Sequence, residues 1–299
     1  MLHVLTHNIL PVFSMLALGF LLGRARTASL EEARAVNRIA FLVLQPPLIF
    51  MLLTGMDLAG VRWDAVGLYA LCEVVAFLAT FALARAVFRC GVAEAFLLGM
   101  AVTFVNSLLY LWPIATLIYG EAGAIPISAI VALDASVSFV FFIVGMEVIA
   151  GKGLRAATLR RIGANPVILT IVASLVLNVL RLPIPEPVLT AARFAGAGAA
   201  PMTLFAMGVV LSHHAIRPNA TIAGVSAMKL ILFPALVWAV FAAFSPENPW
   251  RDLFLLNAAG PSGAMAFSLA LLYGVRPGNI APVIVWTSTL SLISLAWLA

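Results

Sequence analysis

Apolar segments of about twenty residues, the length that carries a helix across roughly 30 Å of hydrocarbon, follow one another through almost the whole chain. Ten can be marked, at residues 7–23, 35–55, 65–88, 95–119, 124–150, 163–181, 188–212, 219–244, 252–273 and 279–298. Backbone in hydrocarbon must satisfy its own N–H and C=O groups, so these segments are expected to be helices in an all-α integral membrane protein. The gaps between them leave no room for a separate soluble domain. Only 10% of the 299 residues are charged and 64% are apolar, whereas soluble domains run near 25% charged.

The basic residues sit in the gaps, and unevenly. After the first, third, fifth, seventh and ninth spans come Arg24, Arg26, Arg34, Arg85, Arg89, Lys152, Arg155, Arg160, Arg161, Arg217 and Arg276; the opposite gaps hold only Arg62, Arg181 and Arg251. By the positive-inside bias the richer side is cytoplasmic, which places both termini outside a multi-pass protein of the inner (plasma) membrane. The net charge of +5 is spread over short gaps without interleaved aromatics, so no nucleic-acid partner is expected. Cys72 and Cys90 lack metal-ligand spacing and read as packing residues. Residues 10–22 follow no basic stretch and precede no small-residue cleavage site, so they read as a retained span.

A shift of 154 residues brings Pro47 onto Pro201, Tyr119-Gly120 onto Tyr273-Gly274, and Ser107 onto Pro261. One constant offset meeting all of these implies an internal repeat, residues 1–150 and residues 151–299. Each half has five spans, an odd number, so the halves insert in opposite directions. The expected architecture is therefore two inverted five-helix repeats, with substrate near the midplane between them.

The fourth and ninth spans are interrupted at matching depth. The fourth holds Asn106 and Ser107 at its middle and Pro113 two turns on; the ninth holds Asn257, Gly260, Pro261, Ser262 and Gly263. A proline removes a backbone donor and frees the carbonyl four residues back, here those of Leu109 and Asn257. An ordinary packing kink explains either interruption alone. Two at matching positions point to half-helices whose exposed N–H groups and positive dipole ends bind an anion. On this reading Asn106, Ser107, Ser262 and Gly263 bind substrate, while Pro113, Gly260 and Pro261 break the helices.

Three charged residues lie deep within apolar spans: Glu73 in the third, Asp134 in the fifth and Lys229 in the eighth. Charges at that depth normally face a cavity or a partner. One reading is a buried structural pair, Glu73 with Lys229, or a lysine snorkelling to the interface. The other makes Asp134 and Glu73 carriers of a coupling sodium ion or proton, and Lys229 an attractor for the anion. Asp134, beside Ser136 and Ser138, is the better coupling candidate. Glu147 reads as interfacial, and the adjacent His213 and His214 as solvated rather than metal-binding.

The stretches NSLLYLWP (Asn106 to Pro113), KLILFPALVW (Lys229 to Trp238) and PSGAMAFSLALLYG (Pro261 to Gly274) resemble the auxin efflux carrier family, related to the bile acid sodium symporters. The likeness runs across nearly the whole chain. It implies a secondary transporter of organic anions, such as dicarboxylates, whose fourth and ninth helices break and cross at the substrate site. The family's fourth-helix pattern resembles Asn-Thr-Gly-Phe-Leu-Gly-x-Pro, which Asn106 and Pro113 match; its two glycines are replaced by Leu108 and Leu111. Its ninth-helix pattern resembles Met-Pro-Thr-x-x-Asn-Ala-Tyr, approximated by Pro261, Ser262, Ala266 and Phe267, with Met265 at the asparagine. These departures point to a more apolar ligand or a different pose.

The function expected is alternating-access transport of small mono- or dicarboxylate anions, coupled to sodium or protons. A non-transporting membrane sensor or scaffold using the same pocket is the alternative. No metal cluster or activated nucleophile appears in the spans, so an enzyme is not expected, nor a cofactor beyond the coupling ion. Partners are the anion, the bilayer and, as the related plant carriers imply, a second copy of the chain.

Overall fold

Proline explains most of the irregularity in these helices. Its ring removes one N–H and crowds the carbonyl four residues back, and a helix can relieve both by widening a turn to π geometry. The computed structural model describes residues 3, 5–151, 160, 163–213, 217–276 and 278–298. In it, widened turns occur at Leu5–Ile9, Ala40–Leu44, Ser107–Leu111 and Met228–Leu232. Each ends two residues before a proline: Pro11, Pro46, Pro113 and Pro234. A fifth, Asp134–Ser138, has no proline behind it. There the Ser136 hydroxyl bonds the Ala132 carbonyl, a side-chain bond that perturbs the backbone ladder.

The described residues are helical, without a strand. In order come α1 (Thr6–Arg24), α2 (Leu30–Thr54), α3 (Trp63–Ala86), α4 (Val92–Thr103), α5 (Ser107–Gly120), α6 (Ile125–Ile149), α7 (Pro166–Val179), α8 (Glu186–Ser212) and α9 (Ala220–Phe244). After these come α10 (Arg251–Ala258), α11 (Met265–Leu272) and α12 (Ile280–Leu298). Seven of them, α1, α2, α3, α6, α8, α9 and α12, are long and apolar enough to cross a membrane. The chain is a multi-pass membrane protein. Lys152, Arg155, Arg161 and His214 lie outside the described residues.

The two interruptions expected from the sequence are present. Between α4 and α5 the backbone leaves helix at Phe104 (φ −76°, ψ 91°) and Asn106 (φ −76°, ψ 54°). Between α10 and α11 it leaves over residues 259–264, which contain Gly260 and Pro261. Pro113 was expected to break the first of these, and it does not. It sits just inside the regular helix that follows the widened turn Ser107–Leu111. The carbonyl of Asn257, expected to be freed by Pro261, accepts the Gly260 N–H at 3.0 Å. Past the breaks, Gly120 (φ 75°) and Gly274 (φ 68°) both take the left-handed conformation that favours glycine. The two are related by the 154-residue offset.

Packing sorts the helices into two groups that cut across the halves of the chain. In one, α8 lies along α1 and the start of α2, while α7 and the start of α8 pack on the end of α2. In the other, α3 packs on α4 and α9, α9 on α10 and α12, α11 on α4, and α6 on α5 and α10. Each group therefore takes helices from both residues 1–150 and residues 151–299.

Candidate functional site

The broken segments meet. Val105 and Ser262 face each other as an isolated antiparallel bridge. The Asn106 N–H donates to the Pro261 carbonyl at 3.0 Å, and the Gly263 N–H to the Phe104 carbonyl at 2.8 Å. Backbone groups that lost their helical partners thus satisfy one another, as buried polar groups must. A side chain at Gly263 would put its Cβ 2.8 Å from the Phe104 oxygen, so only glycine allows this approach.

On one side of the crossing lies a cavity of about 500 Å³. Its walls come from both packing groups: α2, α7 and α8 on one side, and residues 104–109, at the break and into α5, with α6 and α11 on the other. Residues 106–109, the start of α5, and residues 263–265, leading into α11, both line it. Two helix N-termini therefore face the same space, each with N–H groups that have no intrahelical acceptor and a positive dipole end. Most of the remaining wall is apolar, including Phe104, Phe139, Ile143, Met207 and Leu269.

The candidate binding residues divide. Asn106, Ser107 and Gly263 line the cavity. The Ser107 hydroxyl is buried with no hydrogen-bond partner among the described residues, so it is free to bond a ligand oxygen. Ser262 does not line the cavity. It is fully buried; its backbone N–H donates to the Thr287 hydroxyl of α12 at 3.2 Å, and its own hydroxyl has no partner among the described residues. Leu108 and Met265, which stand where the resembling family has glycine and asparagine, both line the cavity and make it more apolar.

Lys229 is also absent from the cavity, against expectation. Fully buried on the widened turn of α9, it donates to the Ala258 carbonyl at 2.6 Å and stands 4.9 Å from the centre of the Phe233 ring. Ala258 is the last residue of α10, so the ammonium caps the negative end of a half-helix. The Ser294 hydroxyl does the same for the Ala259 carbonyl at 3.1 Å. The Asn257 amide donates to the Tyr69 hydroxyl at 2.8 Å, and Tyr69 lies between Phe233 and Phe254.

Glu73 and Asp134 are both buried, within electrostatic reach of each other and of Lys229. Among the described residues the ion pairs are Arg62–Asp64 and Arg251–Asp252, so Glu73 and Lys229 form no direct pair. Both Asp134 oxygens and one of Glu73 lack hydrogen-bond partners. Asp134 lines the cavity and Glu73 does not. Glu147, read as interfacial, is buried and accepts from the Tyr273 hydroxyl at 3.0 Å.

Several lining residues escaped the sequence reading: Arg34, Asn37, Arg38 and Gln45 on α2, and Thr203 on α8. The Thr203 hydroxyl is buried without a partner. One signal was available, because the 154-residue offset that pairs Pro47 with Pro201 also pairs Ile49 with Thr203, and both line the cavity.

A sequence model for a family described as "Membrane transport protein" matches residues 152–298. The match spans just under half of the chain. The family's description and the relatives' names indicate a transporter rather than an enzyme, and the family agrees with the resemblance to auxin efflux carriers. Two relatives match nearly the whole chain. A protein of Rhizobium meliloti (strain 1021) named "Putative malonate transporter" is 28% identical, covering 96% of this chain and 92% of its own. An "Uncharacterized transporter" of Methanothermobacter thermautotrophicus is 24% identical, covering 97% of this chain and 96% of its own.

Proposed function

We propose that the protein is a secondary transporter of small organic anions, mono- or dicarboxylates, that works by alternating access. The observation that carries this reading is the convergence of two half-helix N-termini, with the unpartnered Ser107 hydroxyl and the Asn106 amide, on one cavity between two helix groups. Oriented N–H groups and dipole ends favour a carboxylate there without any fixed cation at the crossing. The apolar wall suits the carbon skeleton of a short acid, and the Rhizobium meliloti relative's name is consistent with a dicarboxylate.

The architecture proposed with this function is ten spans in two inverted five-span repeats, residues 1–150 and 151–299. The two glycines of left-handed conformation at the 154-residue offset support it. The cavity is lined by Arg34 and Arg38 near the start of α2, Asn165 just before α7, and Tyr273 just after α11. These positions border the gaps rich in basic residues, so with those gaps cytoplasmic the cavity opens inward. Movement of α1, α2, α7 and α8 against the other group would close this side and open the opposite one. Asp134, on the cavity wall and beside Glu73, is the coupling site for a proton or sodium ion.

The test is uptake of labelled malonate and short monocarboxylates into proteoliposomes, with sodium and pH gradients imposed in turn. Uptake should fall sharply in Asn106→Ala, and its dependence on the gradient should be lost in Asp134→Asn. Binding without translocation in the unaltered protein would replace the transporter by a sensor built on the same pocket.

A further inference from the structure

Two arginines in the cavity have no task in the site just described. Arg34 and Arg38 lie one turn apart on α2, four residues being the spacing that puts side chains on one helix face, and both line the cavity. The helix beneath them is fixed by a capping box: the Glu32 N–H donates to the Ser29 hydroxyl at 3.2 Å, and the Ser29 N–H to the Glu32 carboxylate at 2.8 Å. Glu32 is thereby engaged at the helix start. Among the described residues neither arginine has an ion-pair partner, and both side chains are exposed to the opening. Asp134 is the acidic residue among those lining the cavity.

Depth decides what such a pair can do. Leu48 and Leu109 pack in one apolar cluster with Leu44 and Leu108 at its edge, so the crossing lies at the level of residues 44–48 of α2. Arg38 lies six or more residues before that level, on the order of 10 Å along the helix axis, and Arg34 a further turn out. Helical side chains lean toward the N-terminus of their helix, which carries both guanidiniums away from the crossing and toward the opening. A short acid held at Asn106 and Ser107 cannot reach them at the same time.

We propose that Arg34 and Arg38 form a second, outer anion site at the mouth of the cavity, which takes a carboxylate of the transported acid before it moves to the crossing and after it leaves. The proposal rests on the transporter reading. Two guanidiniums on one helix face offer paired N–H donors to a carboxylate, the geometry that favours arginine for such contacts. A dicarboxylate engages both and a monocarboxylate one. Because the site is open to water, its attraction weakens with salt.

The experiment is malonate transport kinetics in proteoliposomes, at low and high ionic strength, for the unaltered protein, Arg34→Gln/Arg38→Gln and Arg34→Lys/Arg38→Lys. The glutamine pair should raise KM about fivefold to tenfold, the loss expected from two exposed charge-assisted contacts, with kcat preserved and the salt dependence of KM removed. The lysine pair should keep most of the salt dependence. An unchanged KM and salt response in the glutamine pair would overturn the proposal. So would an effect that appears only in vesicles containing anionic lipid, which would assign the arginines to lipid headgroups. Malonate titration of detergent-solubilised protein, read by thermal stabilisation, separates this site from the inner one. In Asn106→Ala the salt-sensitive binding should persist, and in the glutamine pair it should vanish. If no variant or parent transports any acid yet that pattern holds, the transporter reading fails and the outer site stands.

Discussion

The break between α4 and α5 and the break between α10 and α11 are made by the same backbone device and used in opposite ways. At the first, Ser107 and Asn106 line the cavity, and the hydroxyl has no protein partner. At the second, the carbonyls of Ala258 and Ala259 are taken by Lys229 and Ser294, the Ser262 N–H by Thr287, and the Asn257 amide by Tyr69. The first break leaves its polar side chains on the cavity; the second commits the carbonyl end of α10 to packing, while Gly263 to Met265 still line the cavity. A pseudo-symmetric pair of broken helices thus need not supply a symmetric site: the neighbours of each break decide whether its polar groups bind ligand or are consumed in packing.

The sharpest way to break this comparison is to remove the closure of the second break. Lys229→Met leaves the Ala258 carbonyl without its partner and the buried Glu73 and Asp134 without a nearby cation. It should lower stability by about 3 kcal/mol or more, seen as a large drop in thermal midpoint in detergent. A protein of unchanged midpoint would show that the ammonium is not needed there. Next in size is Asn106→Ala, which should reduce kcat/KM for malonate by about tenfold to a hundredfold, the worth of a hydrogen bond to a charged group. Its thermal midpoint should stay within a degree or two, because the amide makes no bond to the described residues. The paired variants Ser107→Ala and Ser262→Ala test the two breaks directly. The first should raise KM by about tenfold or less and the second leave it unchanged. Equal kinetic effects from two equally stable proteins would erase the distinction between the breaks. The smallest effect belongs to Ser294→Ala, about 1 kcal/mol of stability for one buried hydroxyl bond with KM unaltered.

The parts of this structure that were legible in the sequence are those set by the chain's local chemistry. Span length follows from bilayer thickness, and breaks at Asn106 and at Gly260-Pro261 follow from residues that do not sustain helix. Even so, Pro113 misled: a lost N–H can be absorbed by widening one turn, so the helix carries on and the true break falls at Phe104–Asn106. What a side chain faces was not legible where the answer depends on a distant segment. Ser107 and Ser262 look alike in sequence, yet one lines the cavity and the other does not. Lys229 finds the end of α10, which is 29 residues away. Glu147 is buried because Tyr273 reaches it from across 126 residues. Arg34 read as a topology signal because charge counting assigns each basic residue to a membrane face and is blind to a cavity that opens there.

The amide bonds at the crossing reach beyond the binding site. Asn106 to Pro261 and Gly263 to Phe104 lash the two severed rods into a single yoke, so neither can slide without dragging its twin. In the proposed transport cycle a solute seated against that yoke stays with both rods, and the part left to move is the wall across from it, built by α2, α7 and α8.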